Sequence, residues 1–146
     1  MTDLDETDRQ LLIQLAANAR MPVAKLAAKM GLARTTVQAR LDRLERSGVI
    51  AGYTLRLSDE AQRGLIRATV LVQITPSAQA AVLLQLQRMP QVEKVHATSG
   101  RFDLACQVGT RSTLELDQTL DKIGEIDGVQ MTESLIHLST RIDRAL

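Results

Sequence analysis

The chain has 146 residues, 45% of them hydrophobic and 24% charged, with a formal net charge of +1, an ordinary composition for one globular domain or two small ones. It holds no stretch of about 18 uncharged apolar residues, so no membrane crossing is expected, and its acidic start lacks the apolar core of a secretory leader. The single cysteine, Cys106, excludes an internal disulfide and fits a reducing cytoplasm, while Tyr53 and Phe102 are the only aromatic residues, leaving almost nothing on which unpaired bases could stack.

A first helix is expected from about Glu6 to Ala19, with Leu11, Leu12, Leu15 and Ala16 on its apolar side and Asp5, Glu6 and Asp8 at its positive dipole end. Pro22 opens a second helix, in which Val23, Leu26, Ala27 and Met30 recur at i, i+3, i+4 and i+7. Gly31 then makes a turn that needs positive φ. In the third helix Val37, Leu41 and Leu44 form the apolar stripe. At about 100° per residue, Thr35, Ala39, Asp42 and Arg46 lie opposite that stripe, with Thr36, Gln38 and Arg43 flanking. The strand Val49 to Leu57 is expected to follow as a wing.

Two short helices about a Gly turn are the pattern of a helix-turn-helix. Its recognition helix needs donors and acceptors near the N-terminus for base edges, and cations further along for phosphates. Thr35, Thr36 and Gln38 suit the first task. Arg34, Arg40, Arg43 and Arg46 suit the second, with Lys25 and Lys29 of the preceding helix placed to hold the DNA backbone. Arg40 lies nearer the buried side, where it can brace the domain instead. From Arg20 to Ser47 seven Lys or Arg face only Asp42 and Glu45, a local net of +5 in a chain of +1. Double-stranded DNA is therefore the expected partner. Ala33 is a poor N-cap for the third helix, a weakness of ~1 kcal/mol.

Beyond Asp59 and Glu60 the pattern reads strand, helix, strand, strand, helix, strand. Arg67 to Thr75, Val92 to Thr98, Leu104 to Val108 and Val129 to Ile142 are the strands. Ser77 to Met89, with Ala81, Leu84 and Met89 among its apolar positions, and Ser112 to Ile126, with Leu116, Leu120 and Ile123 inward, are the helices. Met89-Pro90-Gln91-Val92 and Ile126-Asp127-Gly128-Val129 echo each other, as a duplicated β-α-β unit would. The expected fold is α+β: an N-terminal winged helix-turn-helix (residues 1–52), a linking strand and hinge (53–66), and a C-terminal ferredoxin-like βαββαβ sandwich (67–146). If Val70, Val72, Ile74, Val95, Ala97, Leu104, Cys106 and Val108 meet the helices, the other sheet face carries Thr69, Leu71, Gln73, Lys94, His96, Ala105, Gln107, Leu135 and His137. No helix remains to cover it, so it is expected to pack against a second copy.

Rival chemistry finds little footing. Cys106 and His96 suggest a nucleophile and base, but strand alternation sends them to opposite sheet faces. In the strand order 4-1-3-2, His96 and His137 stand on opposite edges, about 14 Å apart, too far for a metal site within one subunit. No phosphate-binding glycine loop, paired cysteine cluster or nucleophile elbow occurs, so neither an enzyme nor a cofactor is expected. An RNA-binding sheet would need aromatics that this chain lacks.

Four runs together resemble the Lrp/AsnC, or feast/famine, regulators over nearly the whole chain: Leu-Asp-Glu-Thr-Asp-Arg-Gln-Leu-Leu at residues 4–12, Gly-Leu-Ala-Arg-Thr-Thr-Val-Gln-Ala-Arg-Leu-Asp-Arg-Leu-Glu at 31–45, Gly-Val-Ile-Ala-Gly-Tyr at 48–53 and Gly-Arg-Phe-Asp-Leu at 100–104. The resemblance implies a sequence-specific transcriptional regulator whose distal domain dimerises, assembles into higher homo-oligomers and often binds an amino acid. Ala33, Asp127 and Arg101 depart from the family pattern. The resemblance places an effector site at the polar loop Thr98, Ser99, Gly100, Arg101 and Asp103, with Thr132 and Ser134 as further candidates. There Gly100 lets backbone amides approach a carboxylate and Asp103 accepts from an ammonium group, while Arg101 either holds a carboxylate or pairs with Asp103. The plainer reading is a hairpin turn in which Asp103 bonds its own backbone. A ligand-insensitive DNA-architectural protein of the same fold is the functional alternative.

Overall fold

A computed structural model of the chain describes residues 3–144, so the outermost limits expected for the two domains, residues 1–2 and 145–146, lie outside it. The chain divides into two compact units. One runs to Arg56 and includes the stretch from Ile142; the other is Leu57–Arg141.

In the first unit α1 (Glu6–Ala17) begins at a capping box. The Asp5 carboxylate accepts from the Asp8 amide at 2.8 Å, and the Asp8 carboxylate accepts from the Asp5 amide at 3.3 Å, satisfying two amides that no helical carbonyl can reach. α2 (Val23–Met30) ends at Gly31, whose φ of 65° is left-handed; its amide and that of Leu32 both donate to the Ala27 carbonyl, as a helix stop of this type requires. α3 (Arg34–Arg46) starts at Ala33 with no side-chain cap, as expected. Leu11, Leu15, Met21, Leu26, Ala27, Val37 and Leu44 form the core. Each of its fully buried leucines contributes about 2 kcal/mol.

The expected strand Val49 to Leu57 is not formed, and with it goes the wing. Residues 51–58 have no regular structure and are exposed. Tyr53, Leu55 and Leu57 do alternate with Gly52, Thr54 and Arg56 as a strand would, but a strand also needs a ladder partner, and the one sheet among the described residues does not include this segment.

The second unit runs β1 (Ile66–Ile74), a 3-10 turn (Pro76–Ala78), α4 (Gln79–Gln87), β2 (Val92–Ala97), β3 (Leu104–Thr110), α5 (Thr113–Gly124) and β4 (Val129–Ile136). The sheet is antiparallel with order β2-β3-β1-β4, the split β-α-β arrangement expected. Val70, Val72, Ile74, Leu104, Cys106 and Val108 pack with Val82, Leu86, Leu116 and Ile123, so both helices cover one face. The repeated turns match: Val92 N–H donates to Met89 O and Val129 N–H to Ile126 O, each at 3.0 Å.

Two expectations are corrected. α4 buries Val82 and Leu86 and leaves Ala81 and Leu84 exposed, because a helix apolar on nearly every side carries no stripe from which to pick its inner face. β4 stops at Ile136 rather than Ile142: Ile136 opposes Ala68, His137 N–H makes one last bond to Arg67 O at 2.9 Å, and β1 itself starts at Ile66, leaving residues further along without a ladder partner in it.

Candidate nucleic-acid interface and effector loop

With Val37 and Leu44 buried, α3 turns Arg34, Thr35, Thr36, Gln38, Ala39, Arg43 and Arg46 to solvent, and α2 does the same with Lys25 and Lys29. Arg40 is half-buried. Thr35, Thr36, Ala39, Arg40 and Arg43 line a shallow hollow with Asp5. Gln38 does not hang free: its Nε2 donates to Asp42 Oδ1 at 2.8 Å. At the end of α3, Tyr53 donates its hydroxyl to Glu45 at 2.6 Å, and that carboxylate raises the phenol to about 12.

The cations of α3 divide into two sets. Arg40 donates to Asp5 at 2.6 Å and to Asp8 at 2.9 Å, and Arg43 donates to the other Asp8 oxygen at 2.5 Å. Asp8 is fully buried. Burial pushes its carboxyl up, but hydrogen bonds from Arg43 and then Arg40 outweigh that and hold it below the ordinary value. The Arg40 hydrogen bond likewise lowers Asp5 and raises the already high Arg40. Arg40 thus takes the bracing role that its position allowed. Arg43 shares it, with 47% of its side chain still exposed. Sequence reasoning placed Asp8 at a helix dipole and missed its arginines, since only tertiary packing brings residues so far apart in sequence together. Arg34, Arg46, Lys25 and Lys29 make no ion pair among the described residues.

The loop between β2 and β3 is tightly tied. Thr98 N–H donates to Asp103 O at 2.9 Å and its hydroxyl to Phe102 O at 2.7 Å; Gly100 has φ 101°. Asp103 Oδ2 accepts from Ile74 N–H at 2.8 Å, an amide displaced from the ladder by the irregularity at Gln73 and Ile74. It therefore bonds a neighbouring strand's backbone, a partner absent from both sequence readings. Arg101 lies over the Phe102 ring at 5.5 Å and reaches Met131 Sδ at 3.9 Å, and it makes no ion pair with Asp103. Thr132 and Ser134 are not brought to this loop's side of the sheet: they oppose Val72 and Val70 and so point to the helix-covered face, whereas Met131 and Arg101 meet on the open one.

Val95 opposes Cys106 and His96 opposes Ala105, so the thiol and imidazole do face apart. Burial raises the Cys106 thiol to about 11. His96 and His137 stand at opposite sheet edges; His137 bonds the Thr69 hydroxyl at 2.8 Å. Among the described residues no metal-holding cluster of His, Cys, Asp or Glu occurs, and no helix is long and apolar enough to cross a membrane.

The AsnC-type helix-turn-helix domain pattern matches residues 4–45, and the Lrp/AsnC ligand binding domain pattern matches residues 67–146. The chain belongs to the Lrp/AsnC family. It is 35% identical to the proline dehydrogenase transcriptional activator of Rhodobacter capsulatus, over 99% of this chain and 97% of the relative. To the HTH-type transcriptional regulator FL11 of Pyrococcus furiosus it is 30% identical, over 92% and 89%. Among solved structures, AsnC of E. coli superposes with a TM-score of 0.90 at 26% identity, covering 99% of both chains. The feast or famine regulatory protein of M. tuberculosis, solved with L-methionine, superposes at 0.85 with 32% identity, covering 97% and 96%. This Lrp/AsnC chain is a helix-turn-helix regulator by that kinship, and the exposed side of α3, all but its last residue Arg46, falls within the matched domain.

Proposed function

We propose that the protein is an oligomeric transcriptional regulator that lays α3 into the major groove of duplex DNA and answers to an amino-acid effector through its distal unit. Thr35, Thr36 and Gln38 read base edges. Arg34 and Arg46 with Lys25 and Lys29 contact phosphates, and Arg40 and Arg43 hold the recognition helix while Arg43 keeps an edge for the backbone. The observation that carries this reading is the solvent-facing polar side of α3 with four cations around it that make no ion pair among the described residues.

The helix-turn-helix unit is assigned to DNA, residues 53–66 to the link, and the distal unit to dimerisation and effector binding. The uncovered sheet face, with Leu71 and Ala105 half-buried and Leu135 half-exposed, packs against a second copy. Two recognition helices then address successive grooves of a partly palindromic site. The loop Thr98 to Asp103 receives the effector's charged groups, as an amino acid's carboxylate and ammonium require. Thr132 and Ser134, on the helix-covered sheet face, lie apart from that loop and are not assigned to the effector. Such a regulator works in the cytoplasm, where the DNA is.

A second reading, a ligand-insensitive architectural protein, is favoured by Asp103 being already committed to the Ile74 amide. Titrating genomic and random duplexes at low salt, with and without each of the twenty amino acids, tests both. Duplex binding that an amino acid shifts supports the regulator; binding that none shifts supports the architectural protein. Indifference to every duplex sinks both.

A further inference from the structure

An exposed glutamine amide ordinarily turns either way, offering its oxygen or its nitrogen to whatever approaches. On α3 that freedom is removed. Gln38 and Asp42 are one helical turn apart, on the side turned away from the core, and Gln38 Nε2 donates to Asp42 Oδ1 at 2.8 Å. An ionised carboxylate only accepts, so the amide nitrogen must face Asp42 and Oε1 must face away. One of the two N–H bonds is spent on Asp42. What remains is one acceptor and one donor side by side, in fixed order.

Only one base edge complements that pair in the major groove. Adenine offers a donor at N6 beside an acceptor at N7, whereas guanine offers two acceptors, cytosine a donor alone, and thymine an acceptor beside a methyl group. Resting on the duplex-DNA reading of α3, we propose that Asp42 is a positioning residue that locks Gln38 in the orientation selecting adenine at one position of each half-site. Asp42 acts through Gln38 rather than on the base. It makes no ion pair among the described residues, so its carboxylate is free for that task.

The test is selection of bound sequences from a random duplex pool by the full-length protein, with salt dependence measured alongside. Wild type is expected to enrich adenine at one position per half-site by about tenfold over other bases. Gln38→Ala and Asp42→Ala both lose that preference, and Asp42→Glu, which keeps a carboxylate one turn away, restores it. The salt slope of Asp42→Ala stays within half a unit of wild type, because no phosphate contact is removed. An unchanged adenine preference in Asp42→Ala overturns the proposal, as does a wild-type preference for cytosine there, which would mean that Asp42 reads the base itself. A wild type that enriches no sequence overturns the DNA reading together with it.

Discussion

Arg43 reaches from the recognition helix to the buried carboxylate of Asp8 on α1, at 2.5 Å, while Arg40 takes that carboxylate's other oxygen at 2.9 Å. One acidic side chain thereby joins the first and third helices in a unit whose core is small, and sets how α3 is held.

Asp8→Ala should therefore destabilise the helix-turn-helix unit by roughly 2 kcal/mol, below the usual cost of breaking a buried pair because both arginines remain partly in water. Urea unfolding followed by the helical signal measures it. Asp5→Asn, which disturbs only the exposed half of the network, should cost less.

The same network predicts where acid acts. Asp5 and Asp8 are lowered from 3.8 in the folded chain, so their contribution is complete above the unfolded value and is lost as pH falls through the folded values. The stability difference between wild type and an Asp5→Asn, Asp8→Asn double variant should stay flat from about pH 8 to about pH 5, then shrink below about pH 4. A difference that changes near neutrality would assign the linkage to other groups.

Salt dependence separates the two sets of cations. Arg46→Ala and Lys29→Ala should each lower the slope of log affinity against log salt by about one unit. Arg40→Ala should lower it by less than about half a unit, since its charge is already met by Asp5 and Asp8.

Asp103 can be parted from its structural duty. Asp103→Ala leaves the Ile74 amide without its acceptor and should cost about 1 kcal/mol. Asp103→Asn keeps an acceptor for that amide while removing the charge an ammonium group would meet. An amino-acid panel that raises the melting temperature of wild type but not of Asp103→Asn would assign the carboxylate to the effector; equal shifts in both would leave it a strand lock.

Gly128→Ala should destabilise the distal unit by about 2 kcal/mol. A Cβ there would lie 2.3 Å from that of Ala78, at a φ of 98°. Thermal unfolding of the variant measures the loss.

The order of helices and strands, the order β2-β3-β1-β4 and the side of the sheet that meets the helices could be read from the amino acids alone, because periods of 3.6 and 2 and turn glycines such as Gly31 are local signals. So could the exposed polar side of α3, which follows once Val37 and Leu44 are taken as buried. The inner face of α4 could not, its apolar residues facing every way, nor could the fate of residues 51–58, where strand-like alternation found no neighbouring strand. Tertiary structure alone decided that Arg40 and Arg43 pair with Asp5 and Asp8, and that Asp103 serves Ile74. Those bonds join side chains and amides about 30 residues apart, and at that separation sequence carries charge and hydrogen-bonding capacity but not the distance between partners.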